Sequence, residues 1–323
     1  MTVSCGIASF HFYREYIMSL NRRCLPVMIF IFTFGQSAIT KNPADVVVKK
    51  IWETPPVFRT PEAVILDQKR RHLYVSNFNV KGGFVSRGDT TRDEFISKVS
   101  LNGDIIDLKW AGGLLNPTGM AMYGDRLYVV ERKGIVEIDP ENGGITGRYP
   151  VPASLFLNDI AFDAGGRAYV TDNDRRAGVT VYLVENGAVT PYLSSRDITR
   201  PNGIVMVKDT LIAGDLSTNS LIAIWDAGRG RRALASVDSI MTFDGVQSCG
   251  GGAYLFSDFT GTGWYAGPEG HVTEIFDMRT FTSGQRPTVN SADMAFVPER
   301  KLLVIPTFMD NRLVAFELES NEN

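Results

Sequence analysis

Six copies of one strand–turn–strand pattern, each followed by hairpin signals, and no long helical period predict an all-β fold, a six-bladed β-propeller. The pattern is plainest from Phe156 to Asp172, FLNDIAFDAGGRAYVTD, where an apolar strand and a Gly-rich turn lead to a strand ending on a carboxylate. It returns as TPEAVILDQKRRHLYVSN from Thr60, NPTGMAMYGDRLYVVE from Asn116 and RPNGIVMVKDTLIAGD from Arg200. Two further copies are FDGVQSCGGGAYLFSD from Phe243 and SADMAFVPERKLLVIPT from Ser291. Intervals of roughly 40–55 residues are those of propeller blades.

The chain divides into a leader over residues 1–38, a linker over 39–44, the propeller over 45–320 and a short tail over 321–323. In the leader, Arg22 and Arg23 precede LPVMIFIFTF (Leu25 to Phe34), and small residues follow through Ser37 and Ala38. A basic start, an apolar run of about ten residues and a small-residue exit mark a secretory signal, too short to anchor in a bilayer. Met18 is then the expected start, and the mature chain is expected in the periplasm or outside the cell, with no membrane span. Of three cysteines only Cys249 would survive cleavage, and it reads as a structural thiol.

DVVVKKIWET (Asp45 to Thr54) alternates and is β-branched, so it reads as a strand. Lying before the first repeat, it is expected to join the last blade and close the ring, leaving no free edges. Blade one carries an insertion over Val80 to Glu94, which includes Arg87-Gly88-Asp89 and is expected to sit above the blade. Asn102-Gly103, Pro140 to Gly144, Asn186-Gly187 and Pro268-Glu269-Gly270 turn the outer hairpins of the following segments. Glycines 250–252 form a strand-to-strand turn rather than a phosphate loop. A formal net charge of −3 suggests no nucleic-acid footprint.

Aligned on the residue before the first strand, the copies give Glu62, Thr118, Asn158, Asn202, Asp244 and Ala292, positions that converge at one channel end in a propeller. Glu62, Asn158, Asn202 and Asp244 supply two carboxylates and two amide oxygens, a set suited to one hard divalent cation. A Cys/His zinc site is not expected. His11 falls in the leader, His72 in a blade-one turn and His271 in an outer hairpin. A second ring, Asn77, Glu131, Asp172, Asp215, Asp258 and Thr307, ends the second strand of each copy and reads as structural hydrogen bonding.

PEAVILD, FLNDIAFD, RPNGI and FDGV, in this order, resemble the senescence-marker-protein-30/gluconolactonase-like family of six-bladed propellers, over nearly the whole mature chain. The resemblance implies a divalent ion at the channel mouth on Glu62, Asn158, Asn202 and Asp244, calcium first, with zinc, magnesium or manganese as alternatives. It also implies hydrolysis of a small-molecule lactone or ester, with Asp244 as base or nucleophile. Thr118, Phe156 and Asp159 are candidates for substrate contact or for orienting the ligands. Phe156 stands where sugar lactonases of that family often carry a substrate-binding Arg, which favours a more apolar substrate; it equally suits the core. Rival readings are a non-catalytic propeller binding carbohydrate or protein around a structural metal, a phosphotriester hydrolase, and a metal-free relative of strictosidine synthases.

Overall fold

The computed structural model describes residues 46–78, 80, 91–240, 242–281 and 289–320. The leader, its cysteines and His11, the Arg87-Gly88-Asp89 tripeptide and most of the blade-one insertion lie outside the described residues.

Six four-stranded antiparallel sheets follow one another around a ring, each beginning with an inner strand and stepping outward. Inner strands are Pro61–Asp67, Met120–Tyr123, Leu157–Phe162, Pro201–Val207, Phe243–Gly250 and Ala295–Val297. The sixth sheet is completed by Val46–Glu53, which pairs antiparallel with Arg312–Ser320, from Val46 opposite Ser320 to Glu53 opposite Val314. The predicted closure is thus formed, and the first strand covers what would otherwise be an open edge. Trp52 adds a bond across blades, its indole N–H donating to Leu101 O at 3.2 Å.

The hydrophobic core lies between neighbouring sheets. Phe276 of blade five stacks on Phe316 of blade six at 5.7 Å, and the clusters each join two neighbouring blades. Each inner and second strand is apolar on both faces because both faces are covered, as in Leu73, Tyr74 and Val75. The outer strands alternate, as in Ile145–Pro150. Asn186 and Gly187 have φ of 49° and 77°, the left-handed pair that a two-residue hairpin requires.

Two features carry the repeat into the channel. In blades one, three, four and five the inner strand slips register just after its first residue: Leu157 faces Asp172, but Ile160 faces Val170. The same slip separates Pro61 from Val64, Pro201 from Ile204 and Phe243 from Val246. This bulge takes two residues out of the ladder and re-aims them. The backbone N–H it frees is met by a buried hydroxyl on the second strand: Ala63 N–H donates to Ser76 Oγ, Asp159 N–H to Thr171 Oγ1 and Gly245 N–H to Ser257 Oγ, each at 2.9 Å. Thr171 and Ser257 pass the bond on to the carbonyls of Asn202 and Ala292 in the next blade.

Close approach of the inner strands demands small residues. A Cβ on Gly203 would lie 2.8 Å from Val246 N and 2.9 Å from Gly245 Cα, backbone that cannot yield. Gly203→Ala is therefore expected to cost about 1–3 kcal/mol and lower the melting temperature. Gly178→Ala, where an added Cβ meets nothing within 4 Å, serves as the control and is expected to be neutral. Equal melting temperatures for the two variants would refute this.

Sequence reading placed His72 in a turn; it is instead the first residue of the strand His72–Asn77, buried, with its Nε2 2.9 Å from the Tyr74 hydroxyl. The strand extends one turn-facing residue further because His72 pairs with both Asp67 and Ser100. His271 does sit in an outer hairpin, between Thr262–Ala266 and Val272–Asp277. Cys249 packs beside the blade-five and blade-six core, and burial pushes its thiol up to about 12, so it is no nucleophile at neutral pH. Among the described residues no helix is long and apolar enough to cross a membrane.

Candidate active site

The second-ring residues act as clamps. Asp172, fully buried, accepts from the backbone N–H groups of Leu155 at 2.7 Å, Phe156 at 3.0 Å and Asp174 at 3.2 Å. Asp215 accepts from Arg200 N–H at 3.0 Å, Asp258 from the Thr242 hydroxyl at 2.9 Å and Asn77 from Arg59 N–H at 2.9 Å. Glu131 accepts from Leu115 N–H and Thr307 Oγ1 from Arg312 N–H. In blades one to five these bonds hold the segment entering the blade, and in blade six the Thr307 bond closes its own hairpin, so the ring is structural.

The clamped segments and the residues after each second strand form a rim. Phe78 N–H donates to Thr60 O, Asn173 to Phe156 O, Leu216 to Arg200 O and Phe259 to Thr242 O, all within 2.9–3.1 Å. One wall of the rim is aromatic. Phe78 meets Phe156 at 6.4 Å and Phe308 at 6.0 Å, and Phe259 meets Phe308 at 5.2 Å, over the fully buried Ala292. The rest of the rim carries Arg200, Asn173 and Thr242. The rim encloses a cavity of about 250 Å³ whose floor is Glu62, Asn158, Asn202 and Asp244.

All four floor residues are buried, with 7, 5, 6 and 5 % of their surface exposed. Asn202 Nδ2 donates to Phe243 O at 2.8 Å and to Asp244 Oδ1 at 3.2 Å, which turns its own oxygen away. Glu62 Oε2, Asn158 Oδ1 and Asn202 Oδ1 are buried without any hydrogen-bond partner. Buried polar atoms are normally satisfied, so three orphaned oxygens at one floor need a donor or a cation. The donor chemistry, two carboxylates and two amide oxygens, fits a hard divalent ion with waters completing its shell. Among the described residues there is no group of three or more His, Cys, Asp or Glu arranged for a metal; this floor is half amide.

Beneath the floor the channel holds a second carboxylate tier. Asp159 and Asp293 follow Asn158 and Ala292 and line a separate cavity of about 260 Å³ toward the other channel end. Asp293 N–H donates to Glu62 O at 3.0 Å and Val64 N–H to Asp293 O at 2.9 Å, zipping blade six to blade one. Asp159 is bonded by the N–H groups of Ile160 and Ile204, both at 2.7 Å. It therefore braces backbone across two blades and lines the lower cavity. Thr118 donates to Val130 O within its own blade at 3.5 Å and does not line the upper cavity. Phe156 does line it.

Crowding of these acids raises their pKa values. Burial pushes Glu62 well up, and the charges of Asp293, Asp244 and Asp159 add to it. Burial raises Asp159 and Asp244 well above the usual carboxylate range, each reinforced by Asp293. Asp293 is lifted to about 7 by burial. None of these four side chains is ion-paired to a lysine or arginine among the described residues.

A six-bladed propeller with a buried acid–amide floor under an aromatic rim defines this chain as a small-molecule-sized channel-mouth site on a propeller scaffold. Among solved structures it is similar to a catalytically inactive virginiamycin B lyase from Staphylococcus aureus bound to quinupristin. The identity is 13 %, covering 85 % of this chain and 100 % of that one, with a TM-score of 0.57. A streptogramin B lyase structure matches at 11 % identity, 85 % and 98 % coverage and a TM-score of 0.54. Likeness at this level establishes the six-bladed fold. No family model and no curated protein matches the sequence.

Sequence reading missed Asp293 and Arg200, and both had a signal. Asp293 holds the repeat position of Asp159, one after the aligned Ala292. Arg200 stands two residues before Asn202, as Phe156 stands two before Asn158.

Proposed function

We propose that this chain is an exported, divalent-cation-dependent hydrolase of small lactones or related esters, working in the upper cavity with Asp244 as general base. The observation that carries the reading is the floor, where three orphaned buried oxygens converge and neither carboxylate has an ion pair among the described residues. Such a group is costly to bury unless a cation sits among it. Four motifs resembling the senescence-marker-protein-30/gluconolactonase-like family supply the same four residues. Calcium is the ion best suited to a set with neutral amide oxygens.

A divalent cation at this floor would polarise the substrate carbonyl and stabilise the oxyanion that develops. Glu62, Asn158 and Asn202 hold the floor, and the Asn202 amide orients the Asp244 carboxylate. Asp244, on the floor beside the ion's place, takes the proton from the attacking water. The phenylalanine wall receives the apolar part of the substrate and excludes bulk water. The structural neighbours are lyases by name, one of them inactivated by a His-to-Ala change. The described residues lining this cavity include no histidine, which favours carboxylate chemistry here. The basic, apolar and small-residue order of the leader supports export.

The test is hydrolysis of a panel of lactones, aryl esters and phosphotriesters, with calcium and after chelation. Chelator-sensitive turnover of lactones or aryl esters is the expected result. Turnover confined to phosphotriesters would transfer the floor to that chemistry. A calcium-raised melting temperature with no turnover would make the propeller a binding scaffold.

A further inference from the structure

We propose that Arg200 is the anion-recognising group of the upper cavity, and that the cavity takes a small aromatic ester or lactone bearing a separate carboxylate. The guanidinium lies in the rim with its Nε buried and without a partner. Its one hydrogen bond is from Nη2 to Asn173 Oδ1 at 3.2 Å, another rim residue. Among the described residues no carboxylate forms an ion pair with it. Arg176, Arg231 and Arg279, by contrast, each hold a carboxylate at 2.6–2.7 Å; Arg132 and Arg312 also bury an Nε without a hydrogen-bond partner, but neither lines this cavity. A guanidinium has five donors in a fixed fork matched to a carboxylate, and this one leaves most of them unused.

Placement decides which ligand fits. Arg200 is fixed from both sides of its backbone, its N–H on Asp215 and its carbonyl bonded by Leu216 N–H. Phe78, Phe156, Phe259 and Phe308 line the same cavity and can flank a ring. The floor is acidic and repels an anion, so the ligand's carboxylate belongs at the rim and its ester or lactone carbonyl below. A cavity of about 250 Å³ suits a one- or two-ring molecule. The proposal rests on the same cavity as the hydrolase reading, but its binding step needs no turnover.

The test is calorimetric binding of 3-phenylpropionate and its neutral isostere 3-phenylpropionamide, with chelator present so that no metal can capture the carboxylate. Wild type is expected to prefer the anion by about 10–100-fold, and Arg200→Gln to lose that preference while keeping its affinity for the amide. Arg200→Lys, a point charge without the fork, is expected to keep only part of it. It also decides the matter if the Gln variant melts early. Equal binding of the two probes by wild type, no binding of either, or an unchanged preference in the variants would overturn the proposal. Charge preference without hydrolysis in the substrate panel would remove the hydrolase reading and leave the subsite; hydrolysis without charge preference would do the reverse.

Discussion

Asp244→Asn is expected to lower calcium-dependent hydrolysis by about 10²–10⁴-fold, the range a positioned general base contributes. The substitution keeps the shape of a side chain buried beside Asn202 in the blade-five bulge, yet it replaces a carboxylate that can take a proton with an amide that cannot. It also removes a buried charge, so the chelated variant should melt no earlier than wild type. Base and ligand roles separate by titrating calcium against melting temperature alongside kcat. A variant that recovers full kcat at saturating calcium would show that Asp244 only holds the ion. Turnover within threefold of wild type at all calcium levels would remove Asp244 from the mechanism.

Asp293→Asn is expected to stabilise the calcium-free protein above pH 7, and here the sign follows from the raised pKa. Folding lifts the Asp293 carboxyl from 3.8 to about 7, so the folded chain binds that proton more tightly than the unfolded one. The benefit is complete below about pH 4 and is lost as pH rises through about 7. A shift of about three pKa units corresponds to about 4 kcal/mol. Glu62, Asp159 and Asp244 are raised as well, with the Asp293 charge a contributor to each, so they steepen the same slope. In chelator, the wild-type melting temperature should fall between pH 5 and 7.5; Asp293→Asn should flatten that fall, and calcium should flatten it in wild type. A wild-type melting temperature that climbs with pH in chelator would contradict the whole scheme.

The two predictions bear on different tiers of one channel. Asp244 faces the upper cavity, where the aromatic rim and Arg200 stand. Asp293 lies below it, against the Ala63 and Gly245 backbones that leave room for its carboxylate. Gly119 and Gly203 serve the same packing, which is why the inner strands carry small residues beside their polar ones.

Much of this is legible in the sequence, because a propeller writes its architecture locally. Each blade is a run of neighbouring strands joined by short turns, so strand pattern and turn residues already specify six sheets. The alternating Val46–Glu53 segment could only pair with the last blade once every other strand had a neighbour. Glu62, Asn158, Asn202 and Asp244 were visible as a set for the same reason: equal positions in a repeat become neighbours when the repeat closes on itself.

What tertiary structure alone decided is direction and company. Sequence cannot show that Asn158 faces the upper cavity while the adjacent Asp159 lines the lower one; a register slip of one residue at the inner strand sets that. Nor does it show that Thr118, at the aligned position, turns its hydroxyl to its own blade, where the inner strand starts later, at Met120. Asp293 reaches Glu62 across more than two hundred residues, and Arg200 shares a rim with Phe78, only because the ring is closed. Local pattern determines which residues repeat; the bulges and the closure determine which of them meet.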